Sequence, residues 1–271
     1  MKINRVVLVV HDGKPKAVEL KGELETYLRD RGAAVDSGDD AGSQDGTDLV
    51  VSLGGDGTML RAARLAHSAD APLLGVNLGL LGYLSEVDPS HARAALDRIF
   101  DDEFEIEERM MLRAEVVVEG RKESFVGLNE VLVERSGGHR LVRLAVTIGG
   151  ESLAAFNADG VIVSTPTGST AYALSAGGPI VSPRAECLIL VPVSAHMIFS
   201  RPFVLSADEV LEVTIEGDGQ EAALSLDGVE GRSLMAGSPV SIQRDPRPLR
   251  LIRLGGPGFV ERLRAKLDLP V

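Results

Sequence analysis

Cysteine and long apolar runs are scarce in this chain of 271 residues, and each scarcity excludes a class of protein. A single cysteine, Cys187, excludes an intramolecular disulfide and a cysteine-only metal cage, and its Leu, Ile and Val neighbours indicate a buried structural role. The longest apolar stretch, residues 187–199, is interrupted by Pro192, Ser194 and His196. It falls short of the roughly 18–20 residues of a membrane span. The first apolar run is only one strand long, which does not fit a secretory signal, so we expect a cytoplasmic protein without a membrane partner.

Positive charge is also in short supply. The chain has 28 Lys and Arg residues against 40 Asp and Glu residues, a formal net charge of −12. This balance disfavours nonspecific binding to nucleic acid or to an anionic membrane. Hydrophobic residues make up 44% and charged residues 25%, which is typical of soluble globular proteins. We therefore expect a folded protein that holds any anionic ligand by local groups, with no nucleic-acid partner.

The hydrophobic pattern changes period along the chain and predicts two domains. Up to residue 100, apolar strands such as Arg5–Val10 alternate with segments of helical spacing, which predicts an α/β domain with a parallel sheet. Residues 36–47 are almost all polar or glycine and predict a loop. Residues 101–245 show short alternating runs between Gly-rich turns, which predicts a β-rich domain. In residues 246–271, a last helix with Phe259, Leu263 and Leu267 on one face is predicted to pack back on the first domain.

A glycine-rich turn joins a predicted buried strand to a predicted helix at residues 54–58, Gly-Gly-Asp-Gly-Thr. Glycines let a ligand approach the backbone, and free amides at a helix start attract anions, so this turn is a candidate phosphate cradle. The alternative is an ordinary turn with Asp56 or Thr58 as helix cap. A carboxylate in a phosphate cradle is repulsive unless it holds a metal ion or takes a proton from a reacting hydroxyl. Asp56 therefore points to phosphoryl chemistry.

Two further segments carry polar groups in apolar surroundings. Asn129 and Glu130 interrupt the apolar run 125–133, and a nucleoside would satisfy both, whereas exposure on an edge strand is the alternative. Six of the nine residues 164–172 carry hydroxyls, which suits ribose and polyphosphate, and Tyr172 can stack on a base. A Ser/Thr-capped turn would explain one or two of these hydroxyls.

In order and spacing, residues 54–58, Asn129-Glu130 and 159–179 closely resemble the NAD kinases, which phosphorylate the adenosine ribose 2′-hydroxyl of NAD. Residues 73–77 and 79–85, and His196 with Arg201-Pro202, support the resemblance, which covers most of the chain. It implies a Rossmann-like N-terminal domain, a C-terminal β-sandwich and a terminal segment that returns to the first domain. It also implies a homodimer or homotetramer, in agreement with the exposed sheet edges that a β-rich domain presents.

The resemblance also assigns roles to single residues. Asp56 would be the general base, and the other implied contacts with the donor phosphates or the dinucleotide are Gly55, Gly57, Thr58, Arg61, Asn129, Glu130, Arg140, Asp159, Thr170, Ala171, Tyr172 and Ser175. We expect Mg²⁺ to enter with ATP or polyphosphate, and no protein ligands of the ion can be named from the sequence. A lipid or sugar kinase with the same glycine turn, and a noncatalytic nucleotide sensor, remain the alternatives. Neither donor nor redox preference is decided at this point.

Overall fold

A computed structural model describes residues 2–11, 13–38, 46–79, 82–137, 141–195, 201–217 and 219–270. The chain divides into two compact units: unit 1 combines Met1–Arg109 with Pro248–Val271, and unit 2 is Met110–Arg247. The sequence-based boundaries were 100/101 and 245/246.

The described strands, in chain order, are β1 Arg5–Val10, β2 Ala34–Ser37, β3 Leu49–Gly54, β4 Leu73–Asn77, β5 Glu105–Arg109, β6 Leu112–Val118, β7 Arg121–Gly127, β8 Glu130–Arg135, β9 Val142–Ile148, β10 Glu151–Ala158, β11 Gly160–Ser164, β12 Cys187–Val193, β13 Phe203–Ser206, β14 Leu211–Glu216, β15 Glu221–Leu226, β16 Val229–Met235, β17 Pro239–Arg244 and β18 Leu249–Arg253.

Helices are few and lie mostly in unit 1. Those described are α1 Pro15–Asp30, α2 Asp56–Ser68, α3 Ala92–Phe100, α4 Tyr172–Ser175 and α5 Phe259–Leu267, with 3₁₀ turns at Pro89–His91 and Thr167–Thr170. Proline at the first position of α1 begins that helix without losing a hydrogen bond. Gly32, with φ of 85°, follows its end, in the left-handed region that glycine adopts at no steric cost. No described helix is both long and apolar enough to cross a bilayer.

Unit 1 contains a six-stranded sheet in the order β2-β1-β3-β4-β18-β5. All its pairings are parallel except that of β18 with β5. β3 is buried along its whole length, as expected for an inner strand of a sheet with both faces covered. The predicted α/β domain is confirmed. So is the return of the C-terminal segment, because β18 is an inner strand of this sheet.

One strand of unit 1 contradicts its prediction. β2 extends into the segment predicted as a loop, residues 36–47, because its last two residues, Asp36 and Ser37, pair with β1. It is an edge strand of four residues with a single strongly apolar side chain, so neither its period nor its composition marks it in the sequence. Residues 39–45 of the same predicted loop lie outside the described residues.

Unit 2 is a sandwich of two antiparallel six-stranded sheets, in the orders β10-β9-β14-β17-β6-β7 and β13-β12-β11-β8-β15-β16. One apolar cluster joins the facing sides of both sheets and includes Leu144 and Val240 from the first and Val131 and Val163 from the second. The alternating period of these strands explains this arrangement, since every second side chain enters the core. The predicted β-sandwich is confirmed.

The outer face of the second sheet has its own small apolar cluster. Leu132 and Ile162, which alternate with the core residues of β8 and β11, pack there with Ala173 of α4. Cys187, at the start of β12, is buried in the same cluster, and burial raises the pKa of its thiol. The hydroxyl-rich segment is thereby fixed against this face of the sheet.

Candidate active site

The glycine-rich turn of unit 1 connects β3 to α2. Gly55 caps the helix with φ of −100° and ψ of −167°, and Asp56 is the first helical residue, so capping by Asp56 or Thr58 is not what holds this turn. Gly54 must be glycine because a Cβ there would overlap the Thr58 side chain. A Cβ at Gly55 or Gly57 would meet no atom of the described residues within 4 Å. The backbone at the start of α2 is therefore open to a ligand, as an anion site requires.

Asp56 presents two different carboxylate oxygens. Oδ2 lies 3.5 Å from Nζ of Lys266 on α5, and that ammonium lies 4.8 Å above the ring of Tyr83. Oδ1 is buried and has no hydrogen-bond partner among the described residues, as is also true of Oγ of Ser85. Both atoms lie against Gly82, where a Cβ would collide with Oδ1. A buried oxygen without a donor is costly, so Oδ1 is suited to a ligand that brings a proton or a cation.

Lys266 was not among the predicted site residues. It lies more than two hundred positions from Asp56, and only the return of the C-terminal segment to unit 1 brings the two together. Burial, and after it the charge of Asp56, raises the pKa of Tyr83. The side chains of Lys266 and Asp56 are 28% and 40% exposed, so solvent screens this ion pair.

Arg61 lies one turn beyond Asp56 on α2. Its Nη2 donates a 2.9 Å hydrogen bond to the carbonyl oxygen of Val10, the last residue of β1. This contact holds the guanidinium at the carboxyl ends of the parallel strands, where ligands bind in open α/β sheets. Its contact with phosphate stays a prediction.

Asn129 and Glu130 stand where the chain passes from one sheet of unit 2 to the other. β7 ends at Gly127 in one sheet, and β8 begins at Glu130 in the other. The edge-strand alternative is wrong for Glu130, because β8 lies between β11 and β15. Glu130 is 8% exposed, and its Oε2 has no hydrogen-bond partner among the described residues. Burial, and after it the charge of Asp227, raises the pKa of Glu130 to about 7.

Asp159 follows β10 and precedes β11. Its Oδ1 accepts a 2.7 Å hydrogen bond from Nε of Arg135, in an ion pair whose side chains are 38% and 36% exposed. Its backbone pairs with Val193 and Arg135. Asp159 is thus fixed at the end of two neighbouring strands, and its contact with the dinucleotide stays a prediction.

The hydroxyl-rich segment uses more of its hydroxyls internally than the sequence suggested. Ser164, Thr165, Ser169 and Thr170 all donate to backbone carbonyls within unit 2, at 2.7–3.4 Å. Four of the six hydroxyls are therefore used inside unit 2: those of Ser164 and Thr165 bind the turn at residues 128–129, and those of Ser169 and Thr170 bind carbonyl groups of their own 3₁₀ turn.

The C-terminal part of the same segment carries the side chains that remain accessible. Tyr172 is 40% exposed, and Ser175 is also exposed, while Ala171 is half-buried. Gly168 packs so closely against the turn before β8 that a Cβ there would collide with the carbonyl oxygen of Asn129. The structure therefore brings Thr170, Ala171 and Tyr172 into the same unit as Asn129 and Glu130. Arg140 and His196 lie outside the described residues.

Among the described residues no cluster of three or more His, Cys, Asp or Glu could hold a metal ion. The buried Oδ1 of Asp56 is an oxygen of the kind that Mg²⁺ accepts, and Mg²⁺ commonly takes its other ligands from water and substrate phosphates. The residues present therefore fit an ion that enters with a phosphate donor rather than one held in a protein cage.

Two family models match this chain: ATP-NAD kinase N-terminal domain over residues 38–104 and ATP-NAD kinase C-terminal domain over residues 128–254. The NAD kinase of Heliobacterium modesticaldum is 39% identical over 97% of this chain and 98% of its own length. The chain belongs to the NAD kinase family. Other relatives are NAD kinase 2 of Streptomyces coelicolor, 38% identical over 100% of this chain and 96% of its own, and the NAD kinase of Leifsonia xyli, 47% identical over 83% and 74%.

Solved structures of NAD kinase family members share the fold. Yeast NADH kinase complexed with NADH matches with a TM-score of 0.88 at 22% identity, covering 98% of this chain and 88% of its own. An NAD kinase from Archaeoglobus fulgidus in complex with ATP matches with a TM-score of 0.75 at 24% identity, covering 98% of both chains. Such low identities establish the fold alone. The predicted resemblance to NAD kinases is confirmed by the family models and the curated relatives.

Proposed function

We propose that this chain transfers the terminal phosphoryl group of ATP or inorganic polyphosphate to the 2′-hydroxyl of the adenosine ribose of NAD, giving NADP. Support for the acceptor comes from the curated NAD kinases that align over almost the whole chain. Support for ATP as donor comes from a structural neighbour whose complex contains ATP. The observation that carries the chemistry is Oδ1 of Asp56, which is buried at the open start of α2 and has no hydrogen-bond partner in the described part of the chain.

Asp56 acts as general base in this proposal. Its carboxylate accepts the proton of the ribose 2′-hydroxyl as the hydroxyl oxygen bonds to the terminal phosphorus of the donor. The bond from that phosphorus to the bridging oxygen breaks, and the shortened donor leaves with the electron pair. Amide groups at the start of α2 bind donor phosphate, because the helix dipole and the open backbone at Gly55 and Gly57 favour anions there.

When bound, Mg²⁺ would neutralise part of the negative charge on the donor phosphates. We assign no protein cage to it, and Oδ1 of Asp56 is the protein oxygen whose surroundings fit contact with the ion or with the reacting hydroxyl. In unit 2, Asn129, Glu130 and Asp159 contact the dinucleotide, and Tyr172 stacks on its adenine. Arg61 and Arg140 contribute phosphate contacts.

The decisive variant is Asp56→Asn, which keeps the shape of the side chain and removes its ability to accept a proton. A positioned general base contributes about 10²- to 10⁴-fold to the rate, so kcat should fall by about that factor. NAD affinity should stay within about threefold, because charge on this residue is not what binds the dinucleotide. NADP is measured with an NADP-specific dehydrogenase, and NAD affinity by calorimetry.

Asp70→Asn is the matched control, because Asp70 lies just beyond the other end of α2 and has φ of 49°, which asparagine also adopts. Its kcat should stay within about twofold of wild type. An Asp56→Asn enzyme that turns over within threefold of wild type would refute the base assignment. Product from a lipid or sugar but not from NAD would favour another kinase with the same turn, and tight nucleotide binding without any product would favour a sensor.

A further inference from the structure

The turn that carries Asn129 and Glu130 is held by an aspartate from a distant part of unit 2. Asp227 accepts three backbone N–H hydrogen bonds, from Leu128 at 2.8 Å, Asn129 at 2.7 Å and Glu130 at 3.2 Å. In the opposite direction, the Asp227 amide donates to the carbonyl oxygen of Glu130 at 3.1 Å. Asp227 is 8% exposed, so these bonds are largely shielded from water.

Two carbonyl groups of the same turn accept hydrogen bonds from Thr165. Thr165 Oγ1 donates to the carbonyl oxygen of Leu128 at 2.7 Å, and the Thr165 amide donates to that of Asn129 at 2.8 Å. Thr165 Oγ1 also accepts from the Gly168 amide at 3.0 Å, so one hydroxyl ties this turn to the start of the hydroxyl-rich segment. The backbone of residues 128–130 is therefore fixed by hydrogen bonds to both its amide and its carbonyl groups.

A local requirement explains the presence of a small polar residue at position 227 but not of a carboxylate. Asp227 and Gly228 form the two-residue connection between β15 and β16, with φ of 51° and 74°. Asn-Gly satisfies such a connection as well as Asp-Gly does. A carboxylate adds a second acceptor oxygen for the turn amides and a negative charge that disfavours the ionised form of Glu130 nearby. Hairpin formation does not require that electrostatic cost, whereas the three hydrogen bonds to the turn use both oxygens of the carboxylate.

We propose that Asp227 and Thr165 are positioning residues for the acceptor site: they fix the backbone of residues 128–130 so that Asn129 and Glu130 meet the dinucleotide in one geometry. This inference rests on the proposed function. Neither side chain needs to touch NAD. An asparagine at 227 would accept with one oxygen and present its own N–H₂ to the remaining backbone donors, so the turn would lose at least one bond and its fixed geometry.

The test compares the dissociation constant for NAD, by calorimetry, with thermal unfolding. Asp227→Asn should weaken NAD binding at least about tenfold, because charge-assisted hydrogen bonds are the stronger class and the amide cannot replace them. The KM for ATP should stay within about twofold. Asp245→Asn is the matched control: Asp245 is also buried in unit 2 and accepts from Arg113 Nε and the Arg247 amide, far in sequence from the turn. It should lower the melting temperature and leave NAD affinity within about twofold.

A second pair of variants tests the contacts that Thr165 makes with the same turn. If Asp227→Asn does not fold, this pair decides the inference by itself. Thr165→Val removes the hydroxyl at nearly constant shape and should weaken NAD binding about three- to tenfold, whereas Thr165→Ser should restore it. Wild-type affinity in a folded Asp227→Asn protein, or equal affinities for the two Thr165 variants, would overturn the inference. Absence of NADP formation by the wild type would instead overturn the proposed function.

Discussion

Glu130 is a carboxyl group held where its ionised form is disfavoured. Glu130 begins β8, an inner strand of unit 2, and is buried beside the charge of Asp227. Burial and the charge of Asp227 both raise its pKa. A raised pKa means that the folded protein binds this proton more tightly than the unfolded chain does. Glu130 therefore affects the free energy of unfolding in a pH-dependent way that an exposed glutamate does not.

The sign of that effect gives a prediction for Glu130→Gln. In the wild type, the contribution favours folding below the unfolded pKa of about 4.5 and is lost as pH rises toward the folded pKa of about 7. The glutamine variant does not titrate, so its stability relative to wild type should rise between pH 5 and pH 8. The change in the difference is on the order of 2–3 kcal/mol. Urea unfolding at several pH values measures it.

Glu221→Gln controls for the loss of one carboxylate, since Glu221 is exposed at the start of β15 in the same sheet. If the difference between Glu130→Gln and wild type is the same at pH 5 and pH 8, the burial of an ionisable Glu130 is not what sets its contribution.

At the scale of elements, α5 is attached differently from its prediction. Its apolar residues Leu263 and Leu267 are only half-buried or exposed, while Arg262 is 3% exposed. Arg262 donates to the carbonyl oxygens of Gly82 and Ser85 and pairs with Glu86 at 3.1 Å. The predicted helix and its return to unit 1 are confirmed, but its most buried side chain is a charged one that the apolar spacing did not indicate. A charged side chain that reaches into a neighbouring loop leaves no periodic signal in a sequence.

Arg262→Met should consequently destabilise unit 1 by about 3 kcal/mol, because Glu86 is 3% exposed and loses one of its arginine partners. Arg253, at 2.8 Å from Glu86, remains and limits the loss. Thermal and urea unfolding measure the change.

Arg264→Met, an exposed position two residues further along α5, is the control and should change stability by less than about 0.5 kcal/mol. A loss of similar size in both variants would mean that the helix, rather than the buried contact, determines the effect. Because Arg262 holds Gly82 and Ser85 beside Asp56, Arg262→Met should also lower kcat.

Elements whose apolar residues recur at a regular spacing could be predicted from the sequence. Elements that depend on contacts between distant residues could not. β1 was predicted at its observed bounds, and a helix was predicted directly after the glycine-rich turn, where α2 lies, since their apolar residues recur at strand or helix spacing. The run 125–133 looked like one interrupted strand, yet it forms the end of β7 and the start of β8 in different sheets. The backbone amides of the turn between these strands donate hydrogen bonds to Asp227, about a hundred residues away. No local sequence pattern reveals such a contact.

The whole molecule has one unit that the chain enters twice. Unit 2 is continuous from residue 110 to residue 247, whereas unit 1 needs both ends of the chain. β18 lies between β4 and β5, so residues 1–109 alone leave the facing edges of β4 and β5 unpaired. Unpaired inner strands expose backbone donors and acceptors that the sheet would otherwise satisfy.

A joined fragment should therefore fold where the simple fragment does not. Leu249 of β18 is the direct antiparallel partner of Arg109 of β5, and antiparallel partners lie about 5 Å apart, so an Asn-Gly turn can connect them. We expect residues 1–109, Asn-Gly and 249–271 in one chain to give helical circular dichroism and a cooperative melt. Residues 1–109 alone should show neither, and adding a peptide of residues 248–271 should restore part of the signal. A cooperative melt of residues 1–109 alone would mean that the returning strand is dispensable to this sheet.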